Sequence, residues 1–91
     1  MALVTLNIFT TKGFRETTRL ELPDKVEPEK LYNILIENVR KLLAIPLSSD
    51  KPYEILIFIN GVDLQIYMAY NTVIELDNNT VIDLIIIRYG G

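Results

Sequence analysis

Residues 81–89 read VIDLIIIRY, and this stretch decides which fold the chain can adopt. Its alternation predicts a strand with Ile82, Leu84 and Ile86 on one face. A register shifted by one residue would place the carboxylate of Asp83 in the core without a partner, which is costly. The rest of the stretch is so apolar that the strand is expected near the centre of a sheet, beside the first strand.

The amino-terminal quarter of the chain predicts a β-hairpin. Residues 3–9 alternate between apolar and polar, the turn at 10–13 contains Lys12-Gly13, and a second alternating run is closed by Pro23. The residues predicted to face inward are Val4, Leu6, Ile8, Thr18, Leu20 and Leu22.

A helix and another strand follow. Apolar residues recur every three or four positions from Pro28, which predicts an amphipathic helix of about 16 residues that ends before Pro46. Residues 53–61, YEILIFING, predict a strand that stops at the turn signal Asn60-Gly61. Residues 62–68, VDLQIYM, are interpreted as a short strand, and ELDNNT as a polar turn.

Composition excludes several classes of function. A chain of 91 residues predicts one domain, residues 1–91, and the net charge of −3 disfavours binding to nucleic acid or to anionic membranes. Without cysteine or histidine the chain has no disulfide, no thiolate or imidazole metal ligand, and none of the usual nucleophile-base pairs. No catalytic residue, metal or cofactor is therefore expected, and the longest apolar runs are too short to span a membrane. We expect a cytoplasmic, non-enzymatic protein.

The element order predicts the α+β class. Strand, strand, helix, strand, short element and strand give a mixed sheet of four to five strands packed on one helix. One face of such a sheet packs on the helix, and the other meets solvent.

Three stretches carry a resemblance to a known family. EILIFINGVDLQ, then LDNNT, then VIDLIIIRYGG resemble the β-grasp ubiquitin-like proteins of the sulfur-carrier branch. That branch includes the ubiquitin-related modifier, to which the chain is most similar, the archaeal small modifiers, the molybdopterin-synthase small subunit and the thiamine-pathway sulfur carrier. The resemblance implies a β-grasp domain with a flexible tail at Gly90-Gly91. Molybdopterin-synthase small subunits commonly carry a proline pair where this chain has residues 86–89, so this departure disfavours the molybdenum-cofactor role.

The resemblance also implies what the terminal glycines do. An ATP-dependent ubiquitin-type activating enzyme would adenylate Gly91, and the product would be a thiocarboxylate or a conjugate on a target lysine. Glycine lacks a Cβ, so Gly90 and Gly91 would fit a narrow channel in that enzyme. A sulfurtransferase or a tRNA-thiolation enzyme, and target proteins modified on lysine, are the further partners implied. Arg88 and Tyr89 are candidates for tail recognition in the groove of a partner, or else ordinary solvated residues at the end of a strand.

Two other functions remain open. A small subunit of a sulfur-transferring synthase would insert the tail permanently into its partner and form a stable complex. A non-catalytic interaction module would tolerate loss of Gly90-Gly91.

Strand parity predicts a docking surface. If Ile82, Leu84 and Ile86 face the helix, other apolar side chains on the two neighbouring strands must face outward, and exposed apolar clusters of this kind mark interfaces. The alternative is that a loop formed by residues 62–75 covers them. The predicted docking residues are Leu56, Phe58, Ile85 and Ile87.

Overall fold

The computed structural model describes residues 1–43 and 53–88 and shows an α+β domain with two helices. The flexible tail predicted at Gly90-Gly91 lies outside the described residues. The elements, in chain order, are β1 (Ala2–Thr10), β2 (Gly13–Leu22), β3 (Lys25–Val26), α1 (Pro28–Leu43), β4 (Tyr53–Ile59), β5 (Val62–Asp63), α2 (Leu64–Tyr70), β6 (Ile74–Glu75) and β7 (Val81–Arg88).

A mixed five-stranded sheet forms the body of the domain. Its strand order is β2-β1-β7-β4-β5, while β3 and β6 form a separate two-stranded ladder. β7 runs parallel to β1 and antiparallel to β4, so it lies in the centre of the sheet. This placement confirms the prediction made from the apolar character of residues 81–89. The β1-β2 hairpin is also confirmed, with Gly13 at φ 108° in its turn.

The core lies between one face of the sheet and α1. Leu31, Leu35 and Val39 of α1 are fully buried, as the three- and four-residue spacing predicts. Full burial of a side chain of this size contributes about 1.5–3 kcal/mol each. On β7, Ile82 and Leu84 are fully buried against the same helix side. The inward residues predicted from parity are therefore confirmed on this strand.

The region after β4 differs from the expectation of a short strand for VDLQIYM. Only Val62–Asp63 is extended, and α2 begins at Leu64, so the described residues form two helices rather than the predicted one. The Asp63 side chain accepts a hydrogen bond from the backbone N–H of Gln65 at 2.9 Å, which satisfies one of the free donors at the start of the helix. Asn71 ends α2 in the left-handed region, where asparagine is tolerated. These two helix-end signals outweigh the alternation of apolar residues in VDLQIYM.

The turn between β4 and β5 fixes the register of the sheet edge. Asn60 and Gly61 have φ values of 50° and 83°, and two consecutive positive φ values are typical of the tight hairpin turn that Asn-Gly favours. This confirms the turn predicted from the sequence. The Asn60 side chain also accepts a hydrogen bond from the backbone N–H of Val81 at 2.9 Å, which joins the turn to the start of β7.

Candidate functional site

The predicted docking residues lie on the face of the sheet opposite α1. On β7, Ile86 is 4% exposed on the inner face, whereas Ile85 and Ile87 are only half-buried on the outer face. On β4, Leu56 and Phe58 are half-buried in the same way. The orientation predicted for the four docking residues is therefore correct.

Strand pairing brings these side chains together. Leu56 lies directly opposite Ile85, and Phe58 lies opposite Asp83, one position along the same outer face. Ile87 lies beyond Ile85 on the same strand. Cross-strand neighbours on one face are close enough for side-chain contact. The four predicted residues thus form one continuous apolar surface.

Two phenylalanines that the sequence analysis did not predict extend this surface. Phe9 of β1 is in register with Ile85, and Phe14 of β2 is in register with Phe9. The two rings are 5.8 Å apart at an interplanar angle of 71°, an edge-to-face contact. Phe9 follows from the parity of β1, because Ile8 points inward. We call the whole surface the outer patch, and it consists of Phe9, Phe14, Leu56, Phe58, Ile85 and Ile87.

A β-bulge places Phe14 on this face. The register between β1 and β2 shifts between Ile8 and Phe9, so that Phe9 pairs with Phe14 rather than with Arg15. Without the extra residue, Phe14 would point to the inner face, because successive side chains alternate. No feature of the sequence pattern locates the bulge.

A row of three hydrogen-bonded polar side chains borders the outer patch on one side. Thr17 Oγ1 donates to Asn7 Oδ1 at 2.7 Å, and Asn7 Nδ2 donates to Asp83 Oδ1 at 3.0 Å. These three residues lie side by side on β2, β1 and β7. On β1, β2 and β7 the outer patch consequently lies toward the end where β7 finishes at Arg88, while Val81 lies beyond the polar row on the same face.

The segment expected to cover the docking surface in the alternative interpretation lies elsewhere. α2 contacts α1, and its Leu64 is 2% exposed within the core on the helix side. Ile66 and Tyr70 of α2 are themselves 52% and 78% exposed. The helix therefore leaves the outer patch open, and the covering-loop interpretation is wrong.

The predicted tail residues are described only in part. The backbone of Arg88 pairs with Tyr53 at the end of β7, but the Arg88 side chain lies outside the described residues. Tyr89, Gly90 and Gly91 also lie outside them. Their roles in tail recognition and activation stay predictions.

The described residues also bear on metal binding and on membrane insertion. Within residues 1–43 and 53–88, acidic side chains do not gather in groups of three or more that would hold a metal ion. Neither of the two described helices is long and apolar enough to cross a membrane.

Comparison with known proteins gives no relative. No protein-family model matches the chain, and no curated protein or solved structure matches it at a significant level.

Proposed function

We propose that this chain is a β-grasp, ubiquitin-like modifier and sulfur carrier whose Gly91 carboxyl group is activated by an ATP-dependent enzyme. Two features of the fold are in keeping with a β-grasp sheet: β7 lies beside β1, and β4 flanks it on the other side. In this proposal the chain is a substrate and a carrier rather than an enzyme, and its location in the cytoplasm stays a prediction.

The observation that supports the proposal best is the position of the outer patch relative to the chain's final residues. Ile85 and Ile87 lie on the strand that leads into residues 89–91, at the end of the sheet where that strand finishes. Gly91 is four positions after Ile87 in the chain, so their Cα atoms are at most about 14 Å apart. An enzyme docked on the outer patch would therefore have Gly91 within reach of a site beside that surface.

The chemistry proposed at Gly91 has two steps. A carboxylate oxygen attacks the α-phosphorus of ATP, pyrophosphate leaves, and an acyl-adenylate forms. A hydrosulfide ion then attacks the acyl carbon and displaces AMP, which gives a thiocarboxylate, or a cysteine thiolate of a partner does so, which gives a thioester. Because Gly90 and Gly91 carry no Cβ, this approach meets no side chain of the tail. The chain has no GxxxxGK[ST] phosphate-binding motif, so the nucleotide site belongs to the partner.

Mass spectrometry of the protein purified from its native cell tests this proposal. We expect an intact mass raised by the exchange of one oxygen for sulfur, or Gly-Gly remnants linked to lysines of other proteins. A chain that lacks Gly90-Gly91 should give neither product. If the native protein shows neither product in the presence of ATP and the cell's own enzymes, the proposal is wrong.

A matched pair of variants tests the role of the outer patch. Ile85→Ala should lower the rate of ATP-dependent pyrophosphate release by about tenfold with an activating enzyme captured from the native cell, as expected for a central interface side chain. Val81→Ala removes an apolar side chain from the same face of the same strand, but beyond Asp83, and should change the rate less than twofold. Equal effects of the two substitutions would contradict docking at the outer patch.

A second candidate function is a non-catalytic interaction module. It is favoured by Phe9 and Phe14, which extend the outer patch across β1 and β2, away from the strand that leads to the tail. Such a module would bind its partner equally well after deletion of Gly90-Gly91. A sulfur-transferring synthase subunit would instead copurify as a stable complex that depends on those glycines.

A further inference from the structure

Within the part of the chain that the structure describes, one edge of the sheet has no strand partner along most of its length. β5 pairs with β4 only opposite Phe58 and Ile59. Among the described residues, no strand lies beside residues 53–57 on this side. An unpaired strand edge presents a row of backbone donors and acceptors to another chain.

The direction of these backbone groups follows from the neighbouring hydrogen bonds. The N–H of Asn60 donates to the carbonyl of Val81 on β7 at 2.8 Å. Because successive residues of an antiparallel strand direct their N–H and C=O groups to opposite sides, Ile55 and Ile57 direct theirs away from β7. The pairing of Phe58 with Asp63 already uses the carbonyl of Ile57, so Tyr53 and Ile55 are the residues of β4 that offer a donor and an acceptor at the open edge.

A groove lies beside this edge, on the helix side of the sheet. It has a volume of about 510 Å³ and runs between the first turns of α1 and the exposed side of α2. Tyr32, Ile55 and Met68 give it an apolar lining, and Gln65 and Asn71 supply amide groups. The groove continues into a cavity of about 40 Å³ that is lined in part by Ile57. An extended peptide paired with β4 would place alternate side chains in this groove.

The charge of the groove selects the kind of peptide. Glu27 and Glu29 are among the residues that line it, Asp63 lines the adjoining cavity, and no lysine or arginine is among the described lining residues of either. Glu27 and Glu29 are absent from the ion pairs found within the described residues. A cationic peptide would supply positive charges to pair with these carboxylates, whereas an acidic peptide would be repelled.

We propose that the open edge of β4 and this groove bind an extended, basic segment of a partner protein, which adds to the sheet as a further strand. One apolar side chain of the segment packs against Tyr32 and Met68, and lysine or arginine side chains on the same face reach Glu27 and Glu29. This site is distinct from the outer patch, which lies on the other face of the sheet, and it does not depend on activation of Gly91.

An NMR titration with a synthetic peptide tests the proposal. The probe is the capped peptide KKVTVTKK, added to the full-length ¹⁵N-labelled chain, with EEVTVTEE as the matched acidic control. We expect amide shift changes at Ile55, Ile57 and Gln65 with the basic peptide and none with the acidic one. Changes confined to Leu56, Phe58 and Ile85, equal binding of both peptides, or no change at millimolar peptide would overturn the proposal.

Two variants separate the backbone and charge contributions. Glu27→Gln combined with Glu29→Gln should weaken binding of the basic peptide by about fivefold, since exposed ion pairs contribute modestly. Glu16→Gln combined with Glu21→Gln makes the same change of charge on β2, at the opposite edge of the sheet, and should leave binding unchanged. Ile55→Pro removes the edge-facing N–H and should abolish the shifts, provided that its spectrum remains dispersed. If both double variants weaken binding equally, the attraction is a general effect of net charge and the proposal is wrong.

Peptide binding in this groove can be tested independently of the proposed activation of Gly91. A chain that lacks Gly90-Gly91 should bind the basic peptide with the same affinity as the full-length chain. Peptide binding that depends on those glycines would overturn the site proposed here without bearing on activation of Gly91. Concentration-dependent dimerisation through the same β4 amides, without peptide, would assign the edge to a second copy of the chain and also overturn it.

Discussion

The two faces of β7 carry nearly the same kinds of side chain but lie in different environments. On the inner face, Ile82, Leu84 and Ile86 are 0%, 0% and 4% exposed, because α1 covers them. On the outer face, Ile85 and Ile87 are buried only in part. Within residues 1–43 and 53–88, no element outside the sheet lies over them. The comparison shows that apolar side chains of β7 stay partly exposed on the face that no described helix covers, and a docked partner would bury them.

The largest expected effect comes from the inner face. Ile86→Ala should lower the free energy of unfolding by about 3 kcal/mol, since it removes buried methyl groups and leaves a cavity beneath α1. Urea denaturation followed by circular dichroism measures this loss. A change below about 1 kcal/mol would mean that the inner face near Ile86 is less tightly packed than its 4% exposure indicates.

The adjacent residue provides the matched substitution on the outer face. Ile85→Ala removes the same atoms from a half-buried position and should cost about 1 kcal/mol, because less apolar surface returns to water and no closed cavity forms. The same urea experiment measures it beside Ile86→Ala. Equal losses for the two variants would show that the faces do not differ, and would remove the reason for assigning the outer patch to a partner.

The smallest expected effect concerns the polar boundary of the outer patch. Asn7→Ala deletes the amide that accepts from Thr17 and donates to Asp83, and should cost about 0.5–1 kcal/mol. Thermal unfolding monitored by circular dichroism should therefore show a fall in melting temperature of a few degrees. Thr5→Ala is the control. Thr5 lies one pair further along the same face, and its side chain takes no part in the hydrogen bonds that join Thr17, Asn7 and Asp83, so its removal should have less effect. A loss as large as that of Ile86→Ala would mean that the polar residues, rather than the core, hold β1 against β7.

Local patterns were sufficient to predict most of the described elements. Alternation identified β1, β2, β4 and β7, and Pro28 with the three- and four-residue spacing identified α1. These predictions succeed because each element repeats its own period many times. α2 was missed because it spans only Leu64–Tyr70, too few residues for a helical period to outweigh alternation.

The candidate site was predictable in part for the same reason. Once Ile82 was assigned to the core, parity fixed the orientation of Ile85 and Ile87, and the pairing of β4 with β7 brought Leu56 beside them. Phe14 was not predictable, because its face depends on one extra residue in the pairing of β1 with β2. The open edge of β4 also required the structure, since a sequence does not show how far β5 extends along its neighbour.

The sequence by itself determined which side chains of each strand share a face, where α1 begins, and that a central apolar strand leads into two glycines. These properties depend on residues close together in the chain, where backbone geometry sets the period. Only the tertiary structure decided that α2 packs beside α1 and that a bulge adds Phe14 to the outer patch. It also decided that, among the described residues, β4 keeps an open edge beside an acidic groove. Each of these depends on contacts between residues far apart in the sequence, whose packing free energies no local pattern encodes.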